Sequence, residues 1–130
     1  MAIKTGAQFV AETIKSYGVD HIFFVPAVLY QVLAEFEKLG GTPVMAHSEK
    51  SAAYMADAYA RVRNAPGVAF GQSVGAINLA AGLQDAFLAL SPVVTLTGRR
   101  QAGWRHRHSY QEVDHRAAYD AVTKFNAEVE

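Results

Sequence analysis

The stretch PVMAHSEKSAAYMADAYAR, residues 43–61, changes character halfway along. Pro43 to His47 is a short apolar run of strand type, and from about Glu49 to Arg63 the pattern is that of a helix. A strand handing over to a helix, with the carboxylate of Glu49 on the helix's first turn, is the unit from which α/β domains are assembled.

The same alternation continues in both directions. Ala7, Val10, Ile14 and Tyr17 recur at helical spacing over residues 4–17, and Gly18 follows where a C-terminal cap is needed. HIFFVP, residues 21–26, is a β-rich run stopped by Pro26. Leu29, Leu33, Phe36 and Leu39 give a second helix over residues 28–39, broken by Gly40 and Gly41. Downstream, GVAFG at 67–71 and PVVTLTG at 92–98 are expected as strands on either side of a helix from about Gly75 to Leu90, and AVTKF at 121–125 as a last strand. Strands that are apolar on both faces, alternating with helices of this length, predict a three-layer α/β/α domain with a mostly parallel sheet and right-handed crossovers. No repeat, linker or low-complexity segment divides the chain, so residues 1–130 are expected to form one domain. At AEVE such a domain would add a helix and a strand, so the expectation is a domain incomplete at its C-terminal end, its last strand left as an edge.

Composition narrows the function. With 51% apolar and 18% charged residues in 130, the chain is a globular domain with one modest core, not a disordered segment. Twelve basic and twelve acidic side chains cancel, which argues against nucleic acid or an anionic membrane as partner. The absence of cysteine excludes disulfides, thiolate metal sites and a thiol nucleophile, and fits a reducing compartment. No run is apolar enough to span a bilayer, and the first residues lack a signal-peptide core; the expected location is the cytoplasm.

In open α/β sheets ligands gather beyond the carboxyl ends of the strands. Four strand-to-helix junctions qualify: VPAVLY around Pro26, HSEKS around Glu49, GQSVGAIN over 71–78 and TGRRQAGW over 97–104. The third, with Gly71, Ser73 and Gly75 before a helix, can offer backbone N–H groups and a capping Ser73 side chain to a polar ligand. It carries neither GxGxxG nor GxxxxGK[ST], so it is also readable as a tight connection and nothing more.

At these junctions the chain resembles a known family. HSEKSAAYMADAYAR is similar to HExxAAxMADGYAR of thiamine diphosphate enzymes of the acetolactate synthase and 2-oxo acid decarboxylase type, in the N-terminal domain that binds the cofactor's pyrimidine ring. GVDHIFFVPA resembles GVxxxFGVPG, GQSVGAINLAAGLQDAF resembles SGPGATNLxxGLxDA, PVVTLTG resembles PVVxITG, and YQEVD resembles FQEVD. These segments fall in the family's order and cover nearly the whole chain.

The resemblance implies a role for each matching residue. Glu49 stands where the family's glutamate hydrogen-bonds the aminopyrimidine ring nitrogen, favours the imino tautomer and so creates the base that deprotonates the thiazolium carbon. That carbon attacks a 2-oxo acid, and the ring serves as electron sink for loss of CO2. The relay needs a carboxyl able to share a proton near neutrality in a partly apolar surround, which Ala52, Ala53, Met55 and Ala56 would supply. By position alone, Glu49 could equally complement the positive end of a helix. Gly75 and Asn78 match residues lining the pyrimidine pocket, Pro26 and Ala27 match the first turn, and Gln111 matches a glutamine that faces the substrate. Asn78 is also readable as a helix-start residue bonding its own backbone, and Gln111 as a cap.

Several positions depart from the family pattern. His47 lies two residues before Glu49 where the family has histidine immediately before, Ser48 taking that place; Ala27 and Ala58 replace glycines, Val74 a proline and Tyr110 a phenylalanine. The substrate side of the pocket is therefore expected to differ. Arg99, Arg100, Arg105, Arg107 and Arg116, with His106, His108 and His115, form either an anion-binding loop for a carboxylate, phosphate or coenzyme A tail, or a solvated or subunit-contact loop. His106 and His108 have no third ligand at a recognisable spacing, so no metal site is expected in this chain, and Trp104 could stack a base only against the neutral net charge. The family's GDG motif, which holds the diphosphate and Mg2+, does not occur. The resemblance thus implies thiamine diphosphate and Mg2+ completed by a diphosphate-binding domain or subunit, in a homodimer or tetramer acting on a 2-oxo acid. The competing reading is a non-catalytic interaction or regulatory domain that keeps the fold.

Overall fold

The computed structural model describes residues 3–26 and 29–129. In chain order the elements are α1 (Gly6–Ser16), β1 (His21–Phe24), α2 (Tyr30–Lys38), β2 (Thr42–Met45), α3 (Glu49–Arg63), β3 (Gly67–Gln72), α4 (Ser73–Leu88), β4 (Val93–Gly98), a 3-10 turn (Ala102–Trp104) and α5 (His115–Tyr119). The helices begin and end on local chemistry. Thr5 and Gln8 close a capping box before α1, and Gly18, at φ +75°, lets the chain leave it. Ser48 caps α3 by accepting from Ser51 N at 3.2 Å, and Asn64 ends it in the left-handed region.

The sheet has the order β2-β1-β3-β4 with every pairing parallel. Alternation along the strands divides the core in two. Ile22, Val68 and Phe70 point to the layer of α1 and α2, where they meet Ala11, Val32, Leu33 and Phe36. Phe23 and Ala69 point the other way, to Ala52, Ala53 and Ala56 of α3 and Ala76, Leu79 and Leu83 of α4. The three-layer α/β/α expectation holds. From β1 to β2 the chain steps outward through a helix on one face; from β2 to β3 and on to β4 it steps the opposite way through helices on the other face. Direction and face reverse together, so the three crossovers share one hand.

The strand expected at AVTKF does not form. After α5 the backbone keeps turning: Val122 N donates to Tyr119 O at 3.1 Å, and Thr123 Oγ1 donates to the same carbonyl at 2.8 Å. Val122 alone packs on the core, while Phe125 is 78% exposed. Apolar side chains at every third position here follow a turn and a tail rather than a pleat, and among the described residues β4 is a sheet edge, as β2 is on the other side.

Candidate functional site

The strand order reverses between β1 and β3, which places a crevice at their carboxyl ends, flanked by the exit of β2. α3 leaves β2 and α4 leaves β3 on the same face of the sheet. The two helices pack closely because their seam is built of alanine and glycine. A Cβ on Gly82 would lie 2.7 Å from Ala53 Cβ and 2.8 Å from Lys50 O, closer than real contacts allow. This approach brings the first residue of α3, Glu49, over the first turn of α4.

The Glu49 carboxylate rests on Gly75: a Cβ there would stand 2.9 Å from Glu49 Cδ and nearer still to one oxygen. Glu49 Oε2 accepts from Asn78 Nδ2 at 3.4 Å, one helical turn further along α4. Glu49 is half-buried and Asn78 exposed, so the pair is reachable from solvent. Of the four residues expected around Glu49, Ala52, Ala53 and Ala56 lie in the core shared with α4, whereas Met55 faces outward. The departure at Ser48 has a local reading, since serine is a strong N-cap and His47 stands exposed two residues past β2.

Ser73 does not act as the expected cap. Gln72 is the N-cap, its side chain making no capping bond to the helix, and Ser73 opens α4 at φ +46°. That left-handed residue turns β3 directly into α4. Its carbonyl accepts from His115 Nε2 at 3.0 Å, and His115 Nδ1 lies 3.0 Å from Thr97 Oγ1 at the end of β4. A carbonyl can only accept, so Nε2 carries the proton and Nδ1 accepts from the threonine hydroxyl. Burial pushes the imidazole's pKa down, which keeps that neutral form. Tyr119 OH adds a bond to Ala76 O at 2.9 Å, so α5 grips the first turn of α4 at two carbonyls. Burial raises the Tyr119 phenol's pKa, and it stays a donor. Sequence reasoning missed this clamp; its only sequence sign was a histidine directly after the Asp114 cap.

Pro26 is exposed just past β1, at the carboxyl edge of the sheet, and Ala27 lies outside the described residues. Gln111 does not join Glu49. It lines a second cleft with Arg99, Arg105, His106, Glu112 and Glu128, and its Nε2 donates to Tyr110 OH at 3.2 Å. Arg99 Nη1 pairs with Glu128 Oε1 at 2.9 Å, and Arg105 pairs with the same carboxylate. Two of the five arginines singled out in the sequence are thus engaged within the chain.

A family profile described as the N-terminal TPP binding domain of thiamine pyrophosphate enzymes matches residues 4–118. Among curated proteins, the chain is 35% identical over 127 residues to an acetolactate synthase of Bacillus subtilis, covering 96% of the chain and 22% of that protein. It is 35% identical over 111 residues to the acetolactate synthase isozyme 2 large subunit of Escherichia coli, covering 84% and 20%. It is 31% identical over 132 residues to a probable 2-ketoarginine decarboxylase of Pseudomonas aeruginosa, covering 95% and 23%. The chain spans about a fifth of the length of these relatives. With Glu49, Gly75 and Asn78 converging at the switch point of a parallel sheet, the chain belongs to the thiamine pyrophosphate enzyme family, as the N-terminal TPP binding domain of acetolactate synthase-like enzymes.

Proposed function

We propose that this chain is the pyrimidine-binding part of a thiamine diphosphate-dependent lyase or carboligase acting on a small 2-oxo acid, with Glu49 exchanging a proton with the cofactor's aminopyrimidine. The observation that carries the reading is the cradle at Gly75: the position lacks a Cβ where the Glu49 carboxylate lies, and Asn78 holds one of its oxygens. A carboxyl held beside a glycine fits an aminopyrimidine, whose ring nitrogen it can hydrogen-bond. When bound, the cofactor supplies the electron sink for decarboxylation. Glu49 holds or yields the proton at its carboxyl, Asn78 fixes the carboxyl's orientation, and Pro26 borders the pocket at the end of β1. Gln111 serves the substrate from the wall of the second cleft.

The diphosphate and Mg2+ fall to a second domain or subunit, and the working unit is a homodimer or tetramer. The test is Glu49→Gln in the complete enzyme. Because an amide cannot carry the proton, the variant should lose 2-oxo acid decarboxylation by about 10²-fold or more while its circular dichroism spectrum is unchanged. Normal turnover would sink the assignment. Association with a partner that ignores thiamine diphosphate would favour the non-catalytic reading.

A further inference from the structure

Residues 105–112 form a loop with an unusual backbone. His106, His108 and Gln111 all lie in the left-handed region, at φ +60°, +52° and +61°, although none is glycine. L-residues adopt this conformation at a cost, and such a cluster persists only where its surroundings over-determine it. One carboxylate supplies most of the bonds that hold it. Glu112 Oε1 accepts from His106 N at 2.5 Å, and Glu112 Oε2 accepts from both the backbone N and the hydroxyl of Ser109 at 3.2 Å each. Glu112 N in turn donates to Ser109 O at 3.0 Å, closing the loop on itself. Three donors on one carboxylate also draw the Glu112 pKa below its ordinary value, the His106 N–H having the largest effect.

From this arrangement we infer that Glu112 is a positioning residue: its carboxylate fixes the strained loop 105–111 and thereby sets where Gln111 stands. Gln111 is the residue next to Glu112 and is itself one of the left-handed three, so its direction depends on the loop staying closed. The same staple orders the wall of the second cleft, since His106 and Ser109 both line it. The inference rests on the proposed function where it concerns substrate, and on the geometry alone where it concerns the loop.

Glu112→Gln in the complete enzyme, loaded with thiamine diphosphate, tests it. The amide keeps the size of the side chain but turns an NH2 toward donors, so at least one backbone N–H loses its acceptor. Tryptic cleavage after Arg107, which is exposed in the loop, should accelerate by about tenfold, with cleavage after Arg63 unchanged as the internal control. The KM for the 2-oxo acid should rise by about tenfold with the half-saturating thiamine diphosphate concentration unmoved. Ser109→Ala, which removes one of the three bonds, should fall between wild type and Glu112→Gln and serves if the latter does not fold. An unchanged cleavage rate overturns the staple. Faster cleavage with an unchanged KM overturns the positioning of Gln111. A wild-type enzyme that turns over no 2-oxo acid counts against the functional reading instead, and the cleavage rates then decide the role of Glu112 by themselves.

Discussion

At the scale of single residues, two neighbours on the first turn of α4 answer opposite demands. Gly75 is needed because the Glu49 carboxylate occupies the place of its Cβ. Gly75→Ala should push the carboxylate aside or lift α4, with thiamine diphosphate-dependent turnover falling by about 10²-fold as the proton-transfer geometry is lost. Turnover within a factor of a few of wild type would show that the contact is incidental. Ser73 presents the reverse case, a side-chain-bearing residue at φ +46° where the family pattern SGPG has glycine. Ser73→Gly relieves the left-handed strain and gives back part of it as backbone entropy, so a net gain of about 0.5–1 kcal/mol is expected. A higher urea midpoint at unchanged slope would register that gain; a lower midpoint would mean that the serine side chain contributes more than its backbone costs.

At the scale of elements, the spacing of α3 and α4 sets the site. Gly82 meets Ala53 and Lys50 across the seam, and Lys50 adjoins Glu49, so whatever separates the helices also moves the carboxylate. Gly82→Ala should destabilise by about 1–3 kcal/mol through overpacking, read as a lower urea midpoint, and should weaken thiamine diphosphate binding in parallel. A stability loss with cofactor affinity unchanged would uncouple the seam from the site. Most of these elements were legible in the sequence, and the reasons are local. α3 runs Glu49–Arg63 as expected because a serine cap and a helical period coincide there. α4 begins at Ser73, two residues before the expected Gly75, because the left-handed serine lets strand pass to helix without a loop, a conformation that no residue-type rule assigns to serine. AVTKF has a strand's composition, but its first residues belong to the turn that ends α5.

At the scale of the whole molecule, contacts set by topology were the ones hidden from sequence. Glu49, Gly75 and Asn78 could be found from the strand-to-helix junctions and the family resemblance, whereas Gln111, matched by the same resemblance, stands in a different cleft. His115 reaches 42 residues back to Ser73 and 18 back to Thr97, so only the completed fold shows that it ties β4, α4 and α5 together. This tie gives the protein a pH dependence with a definite sign. Desolvation lowers the folded His115 pKa most; Arg99 lowers it further, while the Ser73 carbonyl, Asp114 and Glu128 oppose. The unfolded imidazole therefore takes up its proton first as pH falls through about 6.5. Stability contributed by the neutral His115 is complete above that value and is lost as pH falls from it toward the lower folded pKa. Asp20, lowered chiefly by its bond to Lys15, and Glu112 act the same way at more acid pH, their contributions being lost only below about 4. The urea midpoint of the wild type should thus begin to fall near pH 6.5, well before the carboxylates titrate. His115→Gln, which keeps a donor toward Ser73 O but has nothing to protonate, should start lower and stay flat to about pH 5. Parallel profiles for the two proteins between about pH 7 and 5 would show that the clamp does not carry this acid sensitivity.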